Sequence, residues 1–290
     1  MTQSATPSKT TTDRIVQKVK VEGFRSFIEW ADLDDGHINP VFIAAFAHPT
    51  LGNVEAFCKL YQLKGYHRGL ANEITGYLFG HALGVPQPEH AFLANIPLKN
   101  LRSISSKFES GHWIRDIDHS KDWPAFCTTR LDGKSAAIHL SRAEIKSVVE
   151  DVAGWIDLPR AVALDENIAH ADRHLNNLIR LGRKKYAVID NGRLVNGDGE
   201  WWTKDMLSTN HLYRNRLSEH VWNHAPDNDT LGELINFSSQ HDAAFLKIAD
   251  ELLYWLKLLV PQDYAEFEVF LKSRSIDLEW LIKRRYNRLI

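Results

Sequence analysis

The hydrophobic pattern of this chain changes character near Gly133, and that change limits the folds open to it. Before this point, short apolar runs bounded by turn residues are typical of strands, at 40–46, 55–63, 91–96 and 125–131. After it, apolar residues recur at helical spacing over long stretches. The clearest such stripe contains Phe245, Ile248, Leu252, Trp255, Leu256 and Leu259. The pattern therefore predicts an α+β chain with a strand-rich first half and a helix-rich second half.

Local signals place the ends of several elements. A helix is predicted over 69–83, and Gly84 ends it, because glycine adopts the left-handed conformation that often follows a last helical turn. Ser141 with Glu144 predicts a capping box at the start of one later helix, and Thr230 with Glu233 predicts another. The runs 40–46 and 55–63 are separated by turn formers and predict a hairpin.

Composition excludes several classes of protein. The 290 residues contain 35 Lys and Arg against 37 Asp and Glu, a near-neutral balance that argues against general nucleic-acid binding. A hydrophobic fraction of 44% excludes disorder of the whole chain, although the Ser/Thr-rich residues 1–12 predict a disordered tail. No apolar run is long enough to span a membrane. Two cysteines, Cys58 and Cys127, cannot form a disulfide framework and are expected to be buried reduced thiols of a cytoplasmic protein.

The segment Asp172-Arg-His-Leu-Asn-Asn177 carries the strongest chemical signal. It precedes an apolar hairpin that ends at Asp190-Asn-Gly192. A hairpin of this length can bring Asn177 and Asp190 side by side, and two oxygen ligands beside phosphate oxygens suit Mg²⁺. Asp172 is then a separate carboxylate that can orient an incoming hydroxyl and accept its proton. This is the division of roles in kinase phosphoryl transfer.

A second pair of residues fits the same chemistry. Lys59 lies in the middle of the predicted strand 55–63, where apolar neighbours do not favour an unpaired ammonium group. Glu73, fourteen residues later, lies on the predicted helix and can face that strand. Phosphoryl transfer needs a cation on the nucleotide phosphates and a carboxylate that holds the cation in place. The alternative is that Lys59 belongs to an edge strand and reaches solvent.

Together these residues resemble a known family. LANEITGYLFGHALGVPQPEHAFL, ALDENIAHADRHLNNLI and YAVIDNG are similar to segments of the HipA-like kinases, over about residues 40–195. The resemblance implies a bilobal protein-kinase-like fold, with an N-terminal nucleotide-binding lobe at 13–128 and a catalytic helical lobe at 129–290. It also implies ATP as co-substrate, Mg²⁺ as cofactor and a Ser or Thr of a protein as the acceptor.

The resemblance also implies individual roles. Asp172 would be the catalytic base, His174 would order the catalytic loop, and Asn177 and Asp190 would hold Mg²⁺.

The nucleotide would be bound by residues of the first half. Lys59 would contact its phosphates, with Glu73 as the partner of the lysine. The segment AHPTLGNV, which contains Gly52 and Asn53, would be the phosphate-covering loop, because backbone N–H groups can bind phosphate without many glycines.

Three alternatives stay open. His170-Ala-Asp172, with Asn177 and Asp190, also matches the spacing of small-molecule kinases of the aminoglycoside phosphotransferase type. A pseudokinase that binds nucleotide without transfer is a possibility of another class, but the expected polar residues are all present. His170, Asp172 and His174 alternate like metal ligands, but a transition metal needs further converging ligands.

Overall fold

The computed structural model describes residues 14–31, 39–62, 67–101, 118–137, 140–195, 201–222 and 225–287. The predicted disordered tail at 1–12 lies outside these residues. Among the described residues, most strands precede Gly133 and most helices follow it, so the α+β class is confirmed. Contacts divide the chain into two compact units. The first contains the described residues of Met1–Asp32, Gly36–Leu60 and Glu89–Arg130, and the second contains those of Tyr61–Pro88 and Leu131–Ile290.

The first unit is built on one mostly antiparallel sheet. Its strands are β1 (Val16–Val19), β2 (Phe24–Trp30), β3 (Val41–His48), β4 (Gly52–Leu60), β5 (Ala91–Pro97) and β6 (Asp122–Thr129). Their order across the sheet is β1-β5-β6-β4-β3-β2, and β1 pairs with β5 in parallel. β4 is therefore an interior strand, which excludes the edge-strand interpretation of Lys59.

The connection between β1 and β2 requires the sheet to curl. These strands are consecutive in the chain but lie at opposite edges of the sheet. A flat sheet would separate them by about 24 Å, at about 4.8 Å for each pair of neighbouring strands. The five residue steps from Val19 to Phe24 reach at most about 18 Å. A buried apolar cluster packs on this sheet, and in it Phe42, Phe46 and Phe92 are fully buried.

The predicted hairpin is confirmed as β3 and β4, with a tighter turn than the sequence indicated. His48 pairs with Gly52, so Pro49, Thr50 and Leu51 form the whole turn. Most of the segment AHPTLGNV therefore belongs to the two strands. Gly52 has a φ of +73°, which a residue with a side chain adopts only at a cost.

The second unit is mainly helical. Its helices are α1 (Arg68–Leu83), α2 (Arg142–Ala153), α3 (Leu158–Asn167), α4 (Arg216–Trp222), α5 (Asn228–Ser238), α6 (His241–Leu259) and α7 (Tyr264–Arg285). A small antiparallel sheet contains β7 (Lys134–Ser135), β8 (Leu178–Gly182) and β9 (Lys185–Val188). Helix α6 packs against α1 and α7, and α3 packs against α5 and α7. The six apolar residues predicted as the stripe of α6 are all buried.

Helix ends test the local predictions. Gly84 ends α1 in the left-handed conformation, and Ser141 with Glu144 forms the predicted capping box of α2. The second predicted capping box is wrong. Asp227 caps α5 by accepting a hydrogen bond from the backbone N–H of Thr230, so Thr230 lies inside the helix.

Two further expectations can be compared with the structure. Cys58 and Cys127 are both free and buried, as predicted. They lie directly opposite each other on β4 and β6. Among the described residues, no helix is both long and apolar enough to cross a membrane.

The two units differ from the predicted lobes in one respect. Residues 61–88, which include α1, group with the second unit because α1 packs against α6 and α3. The sequence had placed this segment in the lobe at 13–128. The functional roles of the two lobes stay a prediction.

Candidate active site

The segment from Asp172 to Asn177 is a loop that follows α3 and enters β8 through a short 3-10 turn. His170 connects this loop to the end of the hairpin. Its Nε2 lies 2.9 Å from the carbonyl oxygen of Asp190 and donates to it, and its Nδ1 accepts from the backbone N–H of Asp172 at 3.3 Å. Burial, and secondly the charge of Arg173, lowers the pKa of His170 well below its ordinary value. The ring is therefore neutral and structural.

Arg173 also connects the loop to the end of the hairpin. Its side chain is fully buried, and its Nε and Nη2 contact the carboxylate of Asp165 on α3 at 3.0 to 3.2 Å. Nη1 donates to the carbonyl oxygens of Ile189 and Asp190, and Nη2 also donates to Asn191 Oδ1 at 2.7 Å. Burial raises the pKa of Asp165 to about 6, and Arg173 opposes that rise. Arg173 thus connects α3 to both segments of the site.

The backbones of Asn177 and Asp190 lie close together, and a shared metal site of their side chains stays a prediction. The backbone N–H of Ile189 donates to the carbonyl oxygen of Asn177 at 3.0 Å, which places Asp190 one residue beyond this pairing. The side-chain N–H₂ of Asn177 donates to the carbonyl oxygen of Asp172 at 3.0 Å, so its amide oxygen points the opposite way. Asp190 adopts a left-handed conformation, with φ of 61°, and its Oδ1 accepts from the backbone N–H of Gly192.

The carboxylate of Asp172 contacts two arginines. Arg216 Nη1 donates to Oδ1 at 2.6 Å, and Arg193 Nη1 lies 3.4 Å from Oδ2. The carboxylate is one-sixth exposed, at 17%, so it is accessible but partly shielded. The carbonyl oxygen of Asp172 also accepts from the backbone N–H of His174. The backbone of His174 therefore shapes the loop, and a catalytic role of its ring stays a prediction.

Helix α1 supports the end of the hairpin through close contacts. Glu73 is 2% exposed, and its carboxylate accepts from the backbone N–H of Asn191 at 2.7 Å and from the Tyr61 hydroxyl at 2.5 Å. A Cβ on Gly76 would overlap the side chain of Asn191, and one on Gly192 would overlap the Tyr61 hydroxyl. Glycine at position 76 therefore permits the close approach of α1 to Asn191, and glycine at position 192 permits that of Tyr61 to the end of the hairpin.

The predicted nucleotide residues Lys59, Gly52 and Asn53 lie in the first unit. Lys59 is the second-to-last residue of β4, with Val41 and Phe126 as its neighbours in register. It points to the face opposite the buried Cys58, since successive side chains alternate. Gly52 and Asn53 are exposed at the start of β4. The partnership of Lys59 with Glu73 stays a prediction.

The turn before Gly52 limits the role of the predicted phosphate loop. The backbone N–H groups of Thr50 and Leu51 both donate to His48 Nδ1 at 3.3 Å. Burial lowers the pKa of His48, and His90 lowers it further, so the ring can remain a neutral acceptor. A phosphate that used these two N–H groups would have to displace the ring of His48.

The residues that could bind a metal are few. Within the described ranges, no group of three or more His, Cys, Asp or Glu side chains could hold a metal ion, and the alternation of His170, Asp172 and His174 forms no such group. Magnesium is less demanding, because it keeps several waters and takes one or two carboxylates together with substrate phosphates. The amide oxygen of Asn177 and the carboxylate of Asp190 are hard oxygen donors of the kind that fit this ion.

Several residues of the site were not predicted. Arg173 had a signal, since a buried arginine needs a carboxylate partner and Asp165 lies eight residues before it in the same segment. Tyr61, Arg193 and Arg216 had none, because tertiary packing alone brings them to the site.

Comparison of the chain with models of known protein families gives no match, and comparison with curated protein sequences gives none either. The resemblance to HipA-like kinases therefore rests on the quoted residues.

Proposed function

We propose that this protein is an Mg²⁺-dependent kinase with a bilobal protein-kinase-like fold, which transfers the γ-phosphoryl group of ATP to a hydroxyl group. The observation that carries the proposal is the convergence of Asp172, Asn177 and Asp190. These residues come from two segments, and His170 and Arg173 hold the two segments together. A loop carboxylate beside a pair of oxygen donors is the arrangement that phosphoryl transfer requires.

In the proposed reaction, the acceptor oxygen forms a bond to the γ-phosphorus as the bond from this phosphorus to the bridging oxygen of ADP breaks. The proton of the hydroxyl passes to a carboxylate oxygen of Asp172. Little activation of the hydroxyl is needed, because the transition state is loose and catalysis depends mainly on positioning and charge stabilisation. The contacts with Arg193 and Arg216 hold the carboxylate of Asp172 in place, which suits a residue that positions the acceptor.

Asn177 and Asp190 would hold Mg²⁺, which when bound neutralises charge on the phosphate oxygens. The hydrogen bond from the Asn177 amide to the Asp172 carbonyl oxygen directs the amide oxygen away from that carbonyl. Glu73 holds the backbone of Asn191 and so fixes the position of its neighbour Asp190. Lys59 would contact the nucleotide phosphates.

The acceptor we propose is a Ser or Thr of a protein, on the HipA-like resemblance. A cytoplasmic location follows from the supply of ATP there and agrees with two buried free thiols.

The metal role is tested with Asp190→Asn. Asparagine tolerates the left-handed conformation of this position and can still accept from Gly192, whereas alanine would be strained there. Mg-ATP at about 100 times its Kd should stabilise the wild-type protein by about 2.7 kcal/mol in thermal unfolding. Asp190→Asn should lose that shift, and the exposed control Asp229→Asn should keep it. An equal shift in all three proteins contradicts the assignment.

The catalytic role is tested with Asp172→Asn, which keeps the shape but removes the proton acceptor. Turnover should fall by about 100-fold or more, with nucleotide affinity largely kept. The assay uses labelled ATP and cell extract, with products separated into protein and small-molecule fractions. Label on a metabolite and none on protein would favour a small-molecule kinase. Full activity of Asp172→Asn would refute the phosphotransferase mechanism for both acceptors.

A further inference from the structure

Two guanidinium groups meet one carboxylate at the proposed catalytic residue. Arg216 and Arg193 each contact a different oxygen of Asp172, so this trio carries two positive charges and one negative charge. Both arginine side chains are about one-third exposed, at 33% and 31%, and are therefore accessible to a ligand. A group that binds here would meet a surplus of positive charge beside the carboxylate of the proposed catalytic residue.

The position of Arg216 is fixed by its buried neighbour. Asn215 is 1% exposed, and its side chain donates to the carbonyl oxygen of Val162 on α3 at 3.1 Å. Its Oδ1 accepts from the backbone N–H of Ser218 in the first turn of α4. Asn215 therefore fixes the start of α4 against α3, and this restricts where the guanidinium of Arg216, the first residue of α4, can reach.

The donors of Arg216 are only partly used. Nη1 donates to Asp172, whereas the buried Nε has no hydrogen-bond partner among the described residues. The Arg216 side chain is nevertheless one-third exposed, and a guanidinium binds an oxyanion through two parallel hydrogen bonds. Carboxylates and phosphates have the matching geometry.

We propose that Arg216, together with Arg193, binds an anionic group of the acceptor, a carboxylate or a phosphate that lies close to the reacting hydroxyl. The proposal rests on the proposed kinase function and names the class of its acceptor: an acidic or already phosphorylated segment. The bound anion competes with Asp172 for the two guanidinium groups. Acceptor binding thereby loosens the ion pairs of Asp172 at the moment when this carboxylate must take the hydroxyl proton.

The first test measures the anion site without any transfer reaction. Inorganic phosphate is titrated calorimetrically into the nucleotide-free protein at constant ionic strength. Arg216→Gln should weaken phosphate binding about 10-fold or more, the scale of one charge-assisted hydrogen bond. Arg214→Gln is the matched control. Arg214 lies two residues before Arg216 and pairs with Glu219, so this variant removes the same charge without changing the proposed anion site. Equal binding by both variants, or no binding by wild type, overturns the proposal.

The second test measures transfer. Serine peptides flanked by glutamate, by phosphoserine or by glutamine are compared as acceptors with Mg-ATP. Wild type should prefer one of the anionic peptides about 10-fold in kcat/KM, and which one it prefers distinguishes carboxylate from phosphate. Arg216→Gln should abolish the preference and Arg214→Gln should keep it. Arg216→Lys should restore only part of it, because lysine keeps the charge without the paired donors.

The remaining outcomes are also decisive. If Arg216→Gln slows transfer to every peptide and to water equally, the arginine acts on the transferred phosphoryl group and the acceptor proposal fails. If Arg216→Gln does not fold, as circular dichroism would show, Arg193→Gln takes its place in both tests. If no peptide is phosphorylated but phosphate binding still depends on Arg216, the anion site stands and the proposed transfer to protein fails.

Discussion

Replacing His241 by phenylalanine should stabilise the protein, and the gain should grow as the pH falls. His241 is the first residue of α6 and is fully buried. Neither nitrogen of its ring has a hydrogen-bond partner among the described residues. A neutral imidazole carries one donor and one acceptor, and both were hydrated in the unfolded chain. Phenylalanine removes these two polar atoms and keeps a flat ring of similar shape.

The expected change in the free energy of unfolding follows from the burial of the ring. At about pH 8, removal of an unsatisfied buried polar group should add about 1 to 3 kcal/mol to the free energy of unfolding. Burial also lowers the pKa of His241 to about 3, from its ordinary value of 6.5. Below 6.5 the unfolded chain binds a proton that the folded protein does not, so stability falls as the pH falls toward 3. Between about pH 8 and pH 5, this one residue should cost the wild type about 2 kcal/mol.

The assay is urea unfolding followed by tryptophan fluorescence, at several values between about pH 5 and pH 8. The measured quantity is the difference in the free energy of unfolding between His241→Phe and wild type. His170 also has a lowered pKa, but it is present in both proteins and cancels in the difference. His241→Leu serves as a second variant and the exposed His119→Phe as a control. A difference that stays constant with pH would refute the reasoning.

Two substitutions test the structure that holds the site. In Gly76→Ala, the added methyl group would overlap the side chain of Asn191 and should displace the end of the hairpin. This variant should therefore lose the stabilisation by Mg-ATP in thermal unfolding. The control Gly232→Ala, at an open position, should keep it. Arg173→Met leaves Asp165 buried without its partner and should lower the free energy of unfolding by about 3 to 5 kcal/mol. Unchanged urea midpoints for this variant would mean that the buried ion pair does not support the site.

The sequence predicted those parts of the fold that depend on neighbouring residues. Gly84 and the capping box of Ser141 are local devices, so their positions could be inferred from a few residues. The start of α5 was predicted three residues late. Both Asp227 and Thr230 are good capping residues, and only the packing of the chain selects Asp227.

The candidate site also combines contacts that are local in the chain with contacts between distant segments. Asn177 and Asp190 could be paired because a short hairpin separates them, and hairpin length limits the possible geometry. The contact between Glu73 and Asn191 spans 118 residues, and the contact between Asp172 and Arg216 spans 44. No local pattern encodes such contacts, because they form only when helices from distant parts of the chain pack together.

The segment 61–88 has a consequence for how the protein is made. It interrupts the first unit and belongs to the second, so neither unit is a continuous stretch of chain. During synthesis, β1 leaves the ribosome long before its partner β5, and α1 long before α6. Each unit must therefore wait for residues that are translated late. A single cut after residue 128 would remove α1 from the helices that bury it, so expression of the two halves as separate fragments should yield insoluble or unfolded chains.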